Sequence, residues 1–292
     1  MNLVVGATGL VGSEVCRQLA AAGRPLRALV RPTSDRAKVE FLKGLDVEIV
    51  QGDVKDRSSL ETACRGVGAV ISTASATISR QEGDSIQTVD LEGQLSLIDA
   101  AKAAEVAHFV LISFPEIRDE FPLQTAKRSV EEHLKRSGLA YTILQPTLFM
   151  EVWLSPALGF DAAGAVAQIY GAGHNKISWI SYTDVAKFAV AALSNPEARN
   201  ATIKLGGPEA LSPLEVVRVF EEVSGTEFSV HHVPEDALRA QKDAAGDPLQ
   251  ESFAALMLSY ARGEVIDMER TLQMFPVPLR SVKEYAAAHA TA

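Results

Sequence analysis

The chain is poor in cysteine. Its 292 residues include two, Cys16 and Cys64, neither with a second Cys or a His at metal-ligand spacing. A disulfide framework and a cysteine-held metal are therefore excluded, and both residues fall in helical patterns that predict buried free thiols. Long hydrophobic runs are also missing: nothing approaches the roughly 20 apolar residues that span a bilayer. With 28 basic against 37 acidic side chains the net charge is -9, so a nucleic-acid backbone would be repelled. The exception, Arg24, Arg27, Arg31 and Arg36, predicts a local basic patch suited to one small anion rather than a duplex. No internal repeat, heptad array or low-complexity tract is visible, which excludes solenoids and coiled coils. The apolar pattern begins at Asn2 and reaches Gly6 without a basic leader or a signal-length apolar segment. A cytoplasmic protein with neither membrane nor nucleic-acid partners is expected.

What is present is alternation. Six short runs rich in apolar residues, 2–5, 26–30, 47–50, 69–73, 108–113 and 141–145, are separated by segments of helical periodicity. Val11, Val15, Leu19 and Ala22 recur at three- and four-residue spacing ahead of Gly23, a C-cap glycine. Leu3-Val4-Val5, Ala69-Val70-Ile71 and Phe109-Val110-Leu111-Ile112 are continuous apolar runs, as strands covered on both faces require. The pattern predicts an α/β fold with a doubly wound parallel sheet of the Rossmann type over 1–150. After Gln145-Pro146 the alternation loosens, and 158–173 is rich in Gly and Ala without a clear period. Beyond it come a helix over 183–193, a strand over 202–205 and a capped helix from Ser212-Pro213-Leu214-Glu215. A helix over 248–262 stopped by Gly263 and a last capping pattern at Ser281 to Glu284 follow. Residues 151–292 therefore read as a smaller, mostly helical substrate-binding part, interleaved with the first.

Gly6-Ala7-Thr8-Gly9-Leu10-Val11-Gly12 joins the first strand to the first helix, the context in which a glycine motif predicts dinucleotide binding. The sharp turn needs a residue without Cβ at Gly6, a pyrophosphate needs close backbone approach at Gly9, and helix must pack on strand at Gly12. The amides of Gly9, Leu10 and Val11 are the expected pyrophosphate donors, with Thr8 adding a hydroxyl. The spacing, G-x-x-G-x-x-G, points to the short-chain type of dehydrogenase. The second strand ends at Arg31, not at the acidic residue of NAD sites, and Thr33 and Ser34 follow. That arrangement suits a 2′-phosphate and predicts NADP(H). One charge-assisted contact of roughly 1.5–3 kcal/mol gives a preference over NADH of about tenfold to a hundredfold. Asp35 stands close enough to serve as a ribose ligand instead. Asp53 and Val54, after the third strand, are expected beside the adenine, and Asp53 also reads as a helix cap. Thr73, Ala74 and Ser75 close the fourth strand near the cofactor ribose. Ser113 ends the fifth and either touches the nicotinamide or substrate or caps the next turn. Pro146 follows the sixth and opens the run to Met150, which offers a backbone contact to the carboxamide, an apolar substrate wall, or simply core. His231 and His232 are adjacent and point to opposite faces of a strand, so no metal is assigned.

These residues, with Val30-Arg31-Pro32, Gln51-Gly52-Asp53, Lys127 ahead of Glu131-Glu132-His133-Leu134, and the run from Gly138 to Pro146, resemble the NmrA-like group of atypical short-chain dehydrogenase/reductases. The resemblance covers nearly the whole chain. It implies an NADP(H) cofactor and makes Lys127 both the candidate catalytic residue and a ligand of the nicotinamide ribose. It also implies a missing group: short-chain reductases carry a proton-donating tyrosine four residues before the lysine, and here that position is Leu123. The implied activity is NADPH-dependent hydride transfer to a small apolar acceptor such as a quinone or another conjugated compound. The implied alternative is a non-catalytic NADP(H) sensor. The expected partner is a small-molecule substrate, and the expected assembly a monomer or homodimer.

Overall fold

In the computed structural model, which describes residues 1–78 and 80–289, the first half alternates as its periodicity requires. Strands β1 (Asn2–Val5), β2 (Leu26–Val30), β3 (Glu48–Gln51), β4 (Ala69–Ser72), β5 (His108–Ile112) and β6 (Tyr141–Pro146) alternate with helices α1 (Leu10–Ala21), α2 (Arg36–Lys43), α3 (Arg57–Cys64), α4 (Gln94–Ala103) and α5 (Pro122–Arg136). A wide helical segment of the i→i+5 type, the π-helix Ile86–Gly93, runs directly into α4. The second half contributes α6 (Met150–Trp153), β7 (Phe160–Asp161), β8 (Val166–Tyr170), α7 (Tyr182–Ala192), β9 (Ala201–Leu205) and α8 (Pro213–Ser224). After these come β10 (Ser229–Val233), α9 (Glu235–Asp243), α10 (Pro248–Arg262), α11 (Glu269–Met274) and α12 (Val282–His289).

Seven strands form one sheet in the order β3-β2-β1-β4-β5-β6-β9, and the pairings among the first six are all parallel. The buried runs explain why: Leu3, Val4, Val70, Ile71, Phe109 and Val110 are fully enclosed, as central strands of a two-sided sheet must be. β4 and β5 stop one residue short of the expected Thr73 and Ser113, whose amides still make the last ladder bonds to Val5 O (2.9 Å) and Leu144 O (2.8 Å). Strand order reverses between β1 and β4, and such a switch point opens a crevice at the carboxyl ends of the two strands.

The chain divides into two compact units, 1–114 with 122–145 and 185–203, and 115–121 with 146–184 and 204–292. In the first unit, Leu3, Leu60, Val70, Leu97, Phe109, Val130 and Ile143 share one core. The second has its own, rich in aromatics: the Trp153 and Tyr260 rings stack at 5.4 Å, and Phe160 meets Phe220 edge-on at 4.8 Å. This unit is mostly helical. It also carries a three-stranded sheet, β10-β8-β7, that the sequence pattern did not announce. β8 lies in the Gly- and Ala-rich stretch, where Ala167 and Gln168 dilute the strand signal, and it is specified by parallel pairing with β10 about 60 residues on. The capping signals behave as expected. Ser212 and Glu215 exchange hydrogen bonds at the start of α8, Asp247 caps α10, and Gly263 ends it at φ 74°. Among the described residues no helix is long and apolar enough to cross a membrane.

Candidate functional site

The glycine turn is built by exclusion of side chains. Gly6 sits at φ 82°, and a Cβ there would lie 2.6 Å from Thr73 Oγ1 and 2.8 Å from Ala74 N. A Cβ on Gly12 would lie 2.1 Å from Gly6 O, so α1 packs directly on the turn. Gly9 donates its N–H to Gly6 O at 2.9 Å and serves as N-cap of α1 with no side-chain cap bond. The first-turn amides of α1 thus lack a side-chain acceptor at the positive end of the helix dipole. Thr73 Oγ1, 3.1 Å from Val5 O and 3.3 Å from Gly6 O, braces the turn across the crevice.

A cleft open to solvent lies at the carboxyl ends of β1 to β4, where a doubly wound sheet takes its ligands. Its lining brings together Gly6, Thr8, Gly9, Arg31, Ser34, Asp53, Val54, Thr73 and Ala74 from the expected set. Leu10, Val11 and Gly12 stand behind it in the first turn of α1, Leu10 exposed and the other two buried. Ser75, expected beside Thr73 and Ala74, lines it too, as do Asp84 and Val89, which the sequence had not marked.

Arg31 does not enter the cleft as a free cation. Its Nη1 lies 2.5 Å from Asp84 Oδ2, and Asp84 also accepts from Lys55 Nζ and from the Gln81 amide at 3.0 Å. Burial alone would raise the Asp84 pKa, but Lys55, the Gln81 N–H and Arg31 outweigh it and hold the carboxyl below its ordinary value. Lys55 is the mirror case. Burial would lower its pKa, and Asp84 and Asp53, the latter 3.2 Å away, raise it instead. The expected four-arginine patch does not form, because β2 carries its ends roughly 17 Å apart. Arg24 donates to Val190 O. Arg27 pairs with Glu48 at 2.9 Å and reaches the carbonyls of Ala63 and Arg65, and Arg36 is exposed on α2. Asp35 caps α2 through the Lys38 amide and is absent from the cleft lining. Asp53 is not the cap of α3, a role taken by Asp56.

Lys127, on α5, is almost fully buried and outside the cleft lining, with Nζ 3.0 Å from Asp90 Oδ1. Leu123 is buried one turn earlier on the same helix. Ser113 Oγ accepts from Arg128 Nη2 at 3.1 Å; the same nitrogen donates to Phe114 O at 2.5 Å and pairs with Glu131 at 2.8 Å. Pro146 is buried at the end of β6 and belongs to the second unit. Asp84, Lys55 and Asp90 are the polar residues that sequence reasoning missed. No local signal marks them, since each is an acidic or basic side chain in a loop or helix, the usual sign of a solvated surface.

Elsewhere in the first unit, His108 is buried with Nε2 2.9 Å from Thr142 Oγ1, and burial, aided by Arg199, pushes its pKa down to about 4. Both cysteines are buried free thiols, pushed up to about 12 at Cys16 and about 11 at Cys64 by burial.

A cleft at a sheet switch point, walled by glycines and the uncapped end of α1, is what the family comparison meets. The model of the NmrA-like family matches residues 2–286. The chain belongs to the NmrA-like family. The NAD(P)H azoreductase of Xenophilus azovorans is 33% identical to it over 100% of this chain and 99% of its own. The (4-alkanoyl-5-oxo-2,5-dihydrofuran-3-yl)methyl phosphate reductase of Streptomyces griseus is 32% identical over 100% of this chain and 99% of its own. A photosystem II assembly factor of Synechocystis is 33% identical over 81% of this chain and 72% of its own. Among solved structures, the NADPH complex of an NADPH-dependent quinone oxidoreductase from Escherichia coli superposes with a TM-score of 0.80. It covers 100% of both chains at 23% identity, and shares this NmrA-like fold.

Proposed function

We propose that the protein is an NADPH-dependent oxidoreductase that passes hydride to a small, largely apolar acceptor such as a quinone or another conjugated compound. The glycine cradle carries this reading. Side chains are excluded at Gly6 and Gly12 by contacts of 2.1–2.8 Å, beside helix amides with no side-chain cap, and that is the surface a pyrophosphate requires. Arg31 and Ser34 would hold a ribose 2′-phosphate, Asp53 and Val54 would flank the adenine, and Thr73 and Ala74 the second ribose. When bound, NADPH supplies the hydride, and the protein binds, orients and screens the reacting groups. Lys127 would bind the nicotinamide ribose and stabilise negative charge left on the reduced acceptor. Leu123 has no proton to give, so acceptors whose reduced anion is delocalised suit the site better than simple ketones. The relatives support the same reading, because the two that match from end to end are named reductases, whereas the assembly factor covers a smaller share.

The test is NADPH consumption by the purified protein against a panel of quinones, azo dyes and enones, beside Lys127→Ala. Turnover with at least one acceptor, lowered tenfold or more in the variant, is the expected result. Tight NADPH binding with no turnover on any acceptor would overturn the reading in favour of a sensor.

A further inference from the structure

The buried polar side chains behind the cleft form a connected set. Asp90 is fully enclosed and lies on the π-helix, whose wider turn sets its side-chain direction apart from that of a regular helix. One carboxylate oxygen, Oδ2, accepts the Ala76 amide at 3.0 Å, and the other, Oδ1, stands 3.0 Å from Lys127 Nζ. Four residues on, in α4, Gln94 is equally enclosed. Its Oε1 accepts from Ser72 Oγ at 2.7 Å and its Nε2 donates to Ala74 O at 3.0 Å. Two neighbouring side chains therefore grip the segment from Ser72 to Ala76, which contains the cleft-lining Thr73, Ala74 and Ser75. The π-helix is itself pressed against the cleft: a Cβ on Gly93 would lie 2.9 Å from Val54 Cγ2, and Val54 is also in the lining.

A carboxylate with no solvent contact is retained only where its partners satisfy it, and here one partner is Lys127 while the other is the amide of Ala76, next in the chain to the cleft-lining Ser75. Lys127 Nζ is 3.0 Å from Asp90 Oδ1, so this ion pair holds the position of the ammonium group. We propose that Asp90 is a positioning residue that fixes Lys127 and the Thr73–Ala76 wall of the cleft as one unit, so that the two address a bound cofactor in a set geometry. The proposal rests on the reading that Lys127 serves the site.

Three single variants and one double variant separate the possibilities. Asp90→Asn keeps shape and an acceptor for Ala76 but removes the charge facing Lys127. Asp90→Ala removes both, and Lys127→Gln removes the lysine alone. In the protein without cofactor, amide hydrogen exchange at Ala76 should accelerate tenfold or more in Asp90→Ala and stay within about threefold of wild type in Lys127→Gln. NADPH affinity should weaken several-fold in Asp90→Ala. In turnover, Asp90→Asn should cost about as much as Lys127→Gln, chiefly in kcat, and the Asp90→Asn/Lys127→Gln double variant should lose little more than either alone. Effects that multiply in the double variant, or unchanged Ala76 exchange and NADPH affinity in Asp90→Ala, would overturn the proposal. A Lys127→Gln variant with unaltered turnover and affinity would instead remove Lys127 from the site, whatever Ala76 does. Should Asp90→Ala not fold, the double variant, which leaves no unpaired buried charge, supplies the comparison.

Discussion

The glycine turn and the surroundings of Lys127 lie in the same unit and answer to different physics. From Gly6 to Gly12 the site is made of backbone: seven consecutive residues, no functional side chain beyond Thr8, and tolerances set by where a Cβ cannot go. Around Lys127 it is made of side chains from β4, the π-helix, α4 and α5, spread over more than 50 residues and joined by buried hydrogen bonds and one ion pair. The first construction is local and fails by steric collision. The second is assembled and fails by leaving a polar group unpaired.

The comparison can be broken most severely at the assembled side. Lys127→Met leaves Asp90 charged and enclosed without its partner, an expected loss of about 3–5 kcal/mol in unfolding free energy, read from urea midpoints. Simultaneous Asp90→Asn should recover most of it. Gly12→Ala attacks the local side, because its Cβ would meet Gly6 O at 2.1 Å. Relief requires the turn to move, so we expect a cost of up to about 3 kcal/mol, together with loss of NADPH binding in a fluorescence titration. Arg31→Ala sharpens the contrast at the adenine end. The ratio of NADPH to NADH dissociation constants should shift by about tenfold to a hundredfold toward NADH. Asp84→Asn should raise NADPH affinity several-fold in the same titration, because the Asp84 carboxylate otherwise competes with the phosphate for Arg31.

A smaller effect belongs to His108. Its folded pKa of about 4 lies below the unfolded value near 6.5, so the unfolded chain binds the extra proton between those values. Stability contributed by this group is full above pH 6.5 and is lost as pH falls toward 4, on the order of 3 kcal/mol. His108→Asn should flatten urea midpoints across that window. The smallest effect is a null rate: Cys16 and Cys64 should resist a thiol reagent at pH 8 until the protein unfolds.

Much of the first unit was legible because its determinants are local. The continuous apolar runs of β1, β4 and β5 stand within one residue of expectation, and in the second unit so do the capping box of α8 and the glycine stop after α10. Where the reading went astray, a distant partner decided. Arg24, Arg27 and Arg31 are close in sequence, yet β2 sends them to different neighbours. Asp35 and Asp53 were both ascribed alternative roles, and their neighbours made one a helix cap and placed the other in the cleft lining.

The sequence by itself determined the parallel sheet, the position of the crevice and the glycine turn, because hydrophobic periodicity and the absence of Cβ act over a few residues at a time. Only the tertiary structure decided that Arg31 is held by Asp84, that Lys127 is paired with Asp90, and that a second sheet forms from β7, β8 and β10. A charge or a strand edge has many possible partners along a chain of this length, and the partner is chosen by burial, which exists only once the chain has folded.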